Sequence, residues 1–133
     1  MRSVKKLWRD RRGQALVELA LALPLLLLVL MGTMECGRIF HAYLVITNAS
    51  REGARAGVTG APDSEIREKV KEAAASLGLT DAQISIAPDE SVRERGVPLT
   101  VRVDYSLALV APVLDGIVTN PYPLSATTTM RVE

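Results

Sequence analysis

An α+β fold is predicted: a long N-terminal transmembrane helix that continues as a stalk, a second short helix, and a small antiparallel sheet of about three strands. Three observations lead there. The apolar run from Ala15 to Met34 is about 20 residues long, which at ~1.5 Å per residue matches the roughly 30 Å hydrocarbon core of a bilayer. A charged segment beginning at Glu65 repeats its apolar residues at helical spacing. Two later segments, Val97 to Leu109 and Leu124 to Val132, alternate apolar and polar residues with the period of two that a half-buried strand requires.

A chain of 133 residues with 48% hydrophobic and 23% charged content describes one modest domain plus an anchor, and it excludes a disordered chain. The formal net charge of +1 hides an uneven distribution. Arg2, Lys5, Lys6, Arg9, Arg11 and Arg12 crowd the start against a lone Asp10, a pattern that points to a membrane face and not to nucleic acid. Trp8 lies among them as a candidate interfacial anchor. The single cysteine, Cys36, rules out an intrachain disulfide and fits no metal cluster; it reads as a small apolar-like residue in a helix.

The expected organisation is a cytoplasmic basic leader over residues 1–13, a transmembrane and stalk helix over 14–58, and an extracytoplasmic α+β domain over 59–133. Cationic flanks resist translocation, which places the N-terminus inside. Pro24 removes one backbone donor from the span, so a local kink or a softened turn is expected there. A cleaved secretory signal shares the basic start and apolar core. Against it, the run is long for a signal, no A-x-A-like site follows, and Cys36 is preceded by Thr33, Met34 and Glu35 where a lipoprotein signal needs small residues.

Glu18 is the anomaly of the span. An ionisable side chain deep in a bilayer costs on the order of 2.5–3.5 kcal/mol on insertion scales, so it calls for a partner. One reading leaves it hydrated at the cytoplasmic interface near Arg11 and Arg12. The other begins at Gly13: cleavage after it makes Gln14 the new N-terminus and Glu18 the fifth residue, one helical turn from the new amine. A neighbouring subunit's amine would serve equally and would set the axial stagger of a side-by-side assembly.

Basic residues, then Gly13, then Glu18 in an apolar helix resemble the class III signal of type IV pilins and pseudopilins, which a prepilin peptidase cuts. More closely, RRGQALVELALALPLLLLVLMGTMECGRIFHAYLVITNASREGARAG resembles the N-terminal module of TadE-like proteins, minor pseudopilins of the tight-adherence (Tad, type IVc) pilus system. Gly13, Glu18, Pro24, Glu35, Gly37, Arg38, Asn48, Arg51, Glu52, Gly53, Ala54 and Arg55 carry the likeness, which beyond Gly60 rests only on SATTTMRVE. The resemblance implies a pilin-like fold and a structural, non-enzymatic role in pilus biogenesis. Its implied location is the bacterial inner membrane as a single-pass protein, or the pilus itself. Its implied partners are membrane lipid, prepilin peptidase, other pilin or pseudopilin subunits and assembly-platform proteins. No cofactor, metal, nucleic acid or small-molecule substrate is implied. Prepilins often carry an aromatic or Met residue where this chain has Gln14, so the resemblance bears more on cleavage than on N-methylation.

Beyond the span, apolar positions thin to a stripe at Ile39, Tyr43 and Ile46 with Phe40 and Leu44 beside it, the spacing of an amphipathic helix. Ala49, Gly53, Ala56 and Gly57 place small residues three and four apart, allowing close approach by the chain's own domain or by another subunit. Arg51, Glu52 and Arg55 are spaced for i+3 and i+4 pairing or for a solvated face, and Glu35 and Arg38 for a local ion pair. The sequon at Asn48 falls within the predicted helix and is discounted.

Gly60 and Pro62 break the helix, with Asp63 or Ser64 expected to cap the next. That helix turns Ile66, Val70, Ala73, Ala74 and Leu77 inward and stops at Gly78. A first strand is expected from Ala82 to Ala87, followed by a polar connection PDESVRERG. In the long strand, Leu99, Val101, Val103, Tyr105, Leu107 and Leu109 share a face. The excursion VLDGIVTNPYP offers Val113, Leu114, Ile117 and Val118 either to lipid or a partner, or as cover for the end of the sheet.

No nucleophile elbow, P-loop, H-E-x-x-H or cysteine cluster occurs, and the one histidine, His41, falls on the stalk helix. Two functions from different classes follow. One is the assembly subunit processed after Gly13. The alternative is an uncleaved single-pass envelope protein presenting a small binding or sensing domain.

Overall fold

A computed structural model describes residues 11–111 and 116–133. The expected leader, with Trp8, and the expected apolar pair Val113 and Leu114 lie outside the described residues. The first helix, α1 (Arg11–Val58), runs for 48 residues and is helical through Pro24. At 1.5 Å per residue that is a rod of about 72 Å. It ends in a turn where Gly60 takes φ +86°, a left-handed conformation that favours glycine. Pro62 then leads into α2 (Asp63–Ala73).

No side chain caps α2, contrary to the expectation for Asp63 or Ser64. The Asp63 carboxylate is instead engaged by Arg93, and the Asp63 N–H donates to Glu90 Oε2 at 3.2 Å. Ile66, Val70 and Ala74 are buried, while Ala73 is exposed, because a helix turns about 100° per residue and Ala73 falls past the edge of the contact face. The chain reverses at Gly78 (φ +62°), and a short 3₁₀ turn over Asp81–Gln83 occupies the start of the expected strand.

Three strands follow: β1 (Ile84–Ala87), β2 (Pro98–Leu107) and β3 (Tyr122–Arg131), antiparallel in the order β1-β2-β3. Val101 stands opposite Ile86 and Thr128, and Val103 opposite Ile84 and Ala126, so the alternation of all three strands falls into phase on one face. The stalk half of α1 and α2 cover that face, and Ile46, Ile66, Val70, Leu99, Val101 and Val103 between them are wholly buried. The other face is polar. There Thr100 meets Thr129 at 2.9 Å, and Arg102 grips Asp104 through Nε and Nη2, which holds the Asp104 carboxyl below its usual range. The chain end is tied back as Val132 N–H donates to Val97 C=O and Glu133 N–H to Val58 C=O.

Large apolar residues on the stalk face outward. Phe40 is 68%, Tyr43 46% and Leu44 65% exposed, so the inward stripe is not the expected Ile39–Tyr43–Ile46 row. It comprises Ala42, Ile46, Ala49, Ser50, Gly53 and Gly57, with Ile39 half-buried at its edge. A sheet approaching an α-helix closely selects small side chains on the contacted face, which displaces the bulky ones to the far side. Arg51, Glu52 and Arg55 are exposed and form no ion pair among the described residues, leaving a solvated face.

Candidate functional site

The residues singled out for function all lie on α1, which divides into two unlike halves. From Gly13 to Leu30 the helix is uncovered. Its most apolar 18-residue window is 0% buried, and the helix is long and apolar enough to cross a membrane once. Leu21 and Leu25 are among its exposed side chains. In the first turns of this half, Gln14 Nε2 donates to Glu18 Oε1 at 3.2 Å, so positions 14 and 18 share a helix face. Glu18 is exposed and makes no ion pair among the described residues. Gly13 is also open, with nothing among the described residues within 4 Å of where a Cβ would stand.

The second half is the docked stalk. A Cβ on Gly53 would lie 2.4 Å from Val70 Cγ2, and one on Gly57 would lie 2.1 Å from Leu99 Cδ2. Ala49 is wholly buried and Ala56 half-buried in the same seam. Within this chain, the small residues 49, 53, 56 and 57 therefore face the domain's own helix and sheet. Ser50, wholly buried among them, bonds both the Thr47 carbonyl at 2.9 Å and the Thr128 hydroxyl at 2.7 Å, which satisfies its oxygen inside the core.

Between the two halves sits a polar junction. Glu35, 3% exposed, accepts from Arg38 Nη1 at 2.7 Å and from the Val110 N–H at 3.4 Å. Arg38 Nη2 donates onward to the Ala108 carbonyl at 3.2 Å. The i+3 pair expected from sequence is present, but its larger consequence is tertiary: it fastens the segment after β2 to the helix at the last turn of the apolar run. Only the period of the buried stripe, continued back from Ala42, signals that Glu35 points inward.

Glu35→Ala is expected to cost about 1–3 kcal/mol, because the Val110 donor and the Arg38 guanidinium lose a buried acceptor together. Glu35→Gln, which keeps an acceptor for Val110, should cost less. Amide hydrogen exchange of residues 108–111 in detergent-solubilised protein checks both, with faster exchange expected for alanine.

Among the described residues no group of three or more His, Cys, Asp or Glu is arranged to hold a metal ion. Cys36 is exposed and free. A hollow on the outer face of the sheet is lined in part by Gln83, Arg102, Asp104 and Ser125, and there the Asp104 carboxylate is held by Arg102 and by the Ser125 hydroxyl.

Residues 13–55 match the family described as TadE-like protein. The matched segment is the uncovered half, the junction and most of the seam; the sheet lies outside it. Searches of curated proteins and of solved structures found no match to this chain.

Proposed function

We propose that this chain is a structural assembly subunit of the Tad pilus machinery, a TadE-like minor pseudopilin that a prepilin peptidase processes after Gly13. It resides in the bacterial inner membrane with its N-terminus cytoplasmic and the α+β domain extracytoplasmic. It associates there with other pilin or pseudopilin subunits and with assembly-platform proteins, and it enters the pilus or supports its growth from the membrane. No cofactor and no substrate enters this role.

The observation that carries the reading is the contrast within one helix: the domain covers the stalk and leaves the apolar half bare, with the Glu18 carboxylate in the bare part. Lipid satisfies the apolar side chains but not the carboxylate, whose burial is relieved by a cationic partner. An amine on a neighbouring helix supplies that charge. The family match over residues 13–55 supports the same role, since it covers the helix from the proposed cleavage point through most of the seam.

The role assigned to Glu18 predicts that Glu18→Ala leaves the fold and abundance of the protein intact while its recovery with pilus components falls about tenfold or more. Tenfold corresponds to ~1.4 kcal/mol, less than the roughly 2.5–3.5 kcal/mol that an unpaired carboxylate costs at membrane depth and that pairing can relieve. Affinity purification of tagged protein from cells expressing the pilus genes measures this. Wild-type recovery of the alanine variant would remove Glu18 from the assembly mechanism.

A further inference from the structure

We propose that residues 108–111 and 116–120 are seated in the outer lipid interface, with Val110 and Ile117 as the side chains that enter it. The domain then rests on the bilayer and does not stand clear of it on its stalk. This inference depends on α1 spanning the membrane, as in the reading above, but concerns a different part of the chain.

Three independent features place the segment there. The first is its level. Val110 and Ala111 line a groove of about 180 Å³ together with Met31, Met34, Glu35 and Arg38. Met31 and Met34 belong to the last turn of the apolar run, and one turn rises about 5.4 Å. Anything beside them stands within about one turn of the hydrocarbon boundary.

The second is exposure. Ile117 at 77% and Val110 at 70% are the two most exposed large apolar side chains outside α1 among the described residues. Val110 stands beside the membrane helix and continues the apolar surface of the span, and the stretch carrying Ile117 is tied to the same segment through the Asn120–Leu109 hydrogen bonds. Lipid accounts for both surfaces with one occupant.

The third is the state of the backbone. Irregular chain is tolerated within the hydrocarbon only where its polar groups are satisfied internally, and a segment satisfied in that way can sit at the hydrocarbon boundary without losing bonds to water. The Ala108 carbonyl accepts from Arg38, and the Leu109 N–H donates to Asn120 Oδ1 at 3.0 Å. The Leu109 carbonyl accepts from Asn120 Nδ2 at 3.4 Å, and the Val110 N–H donates to Glu35. Four consecutive polar groups of a non-strand segment are thus met by three side chains, where a water-facing loop would leave the same work to solvent. Arg38, 42% exposed, has the long stem that lets a guanidinium reach headgroup level from beside an apolar groove.

The test uses the full chain with Cys36→Ser, reconstituted in vesicles of phosphatidylethanolamine and phosphatidylglycerol. Val110→Cys and Ile117→Cys are each labelled with an environment-sensitive fluorophore. Glu68→Cys on the exposed side of α2 gives an aqueous reference, and Leu26→Cys a reference inside the span. Labels at 110 and 117 are expected to emit to the blue of the label at 68. They should be quenched by a spin label carried high on the acyl chain, and show several-fold weaker quenching by aqueous iodide. Labels at both positions that behave like the one at 68, while the label at 26 is quenched from lipid, would overturn the proposal and leave the span intact. If the label at 26 is itself open to iodide and insensitive to lipid quencher, the membrane-spanning reading fails and this inference with it.

Discussion

Replacing Gly57 by leucine is expected to detach the domain from its stalk. Even a single Cβ at this position would lie 2.1 Å from Leu99 Cδ2 and 2.9 Å from Ile66 Cδ1. Both neighbours are wholly buried, so neither can swing into solvent to make room. Overpacking a closed core costs about 1–3 kcal/mol for modest additions, and four extra carbons here belong at or above the top of that range. Gly57→Ala sets two effects against each other: alanine gains about 1 kcal/mol in helix propensity, but the close contact forces Leu99 to move. Net destabilisation is expected. Gly37 provides the internal comparison, since nothing lies within 4 Å of its would-be Cβ and Gly37→Ala should stabilise the helix by up to about 1 kcal/mol. Hydrogen exchange across β2 reads all three variants: fast for Gly57→Leu, intermediate for Gly57→Ala, unchanged or slower for Gly37→Ala.

Arg93→Ala is expected to have the next largest effect on stability, at about 2–3 kcal/mol. The Arg93 side chain is 4% exposed and ties its own loop to the linker and the start of α2, some 30 residues earlier. It donates to the Ala61 carbonyl at 3.1 Å, to the Pro88 carbonyl at 3.3 Å and to the Asp63 carboxylate. Removing it strands those acceptors. The cost stays below the roughly 3–5 kcal/mol of a fully buried broken pair because Asp63 is 29% exposed and partly rehydrates. Arg93→Lys should recover little, since one ammonium cannot reproduce the fork that meets acceptors in separate directions. Urea denaturation followed by circular dichroism gives the comparison. A loss below about 0.5 kcal/mol for alanine would mean that the contacts are offset by the burial of the guanidinium, whose Nε finds no acceptor among the described residues.

The architecture was legible where hydrophobic pattern alone decides it. The unbroken run from Ala15 to Met34 and the strict alternation in β2 and β3 specify a membrane-length helix and two paired strands without reference to anything distant. The orientation of the stalk was not legible in the same way. Apolar residues cluster at Phe40, Tyr43 and Leu44, yet the sheet contacts the opposite face. What decides that face is size, and size matters only once a partner surface is present.

Arg93 escaped for a related reason. It sits in a polar connection whose composition resembles any solvated loop, and its three acceptors come from the linker at Ala61, the start of α2 and the chain just before it. Glu35 was partly visible as a neighbour of Arg38, while its bond to Val110 spans 75 positions and has no local signature. Gly13, Gln14 and Glu18 were conspicuous from sequence because their chemistry is anomalous for the place they occupy. A carboxylate in an apolar run invites the question of its partner before any fold is known.

The intact mass of the protein, taken from cells with and without a prepilin peptidase, tests the central claim most directly. The peptidase-bearing strain is expected to yield a chain lacking residues 1–13 and beginning at Gln14, whereas the strain without it yields the full-length chain. Gly13→Leu in the peptidase-bearing strain should also remain full length, and because a Cβ at position 13 would meet nothing within 4 Å among the described residues, that result would report recognition and not misfolding. An unchanged full-length mass in both strains would contradict the account and leave the chain as an uncleaved envelope anchor carrying a small α+β domain.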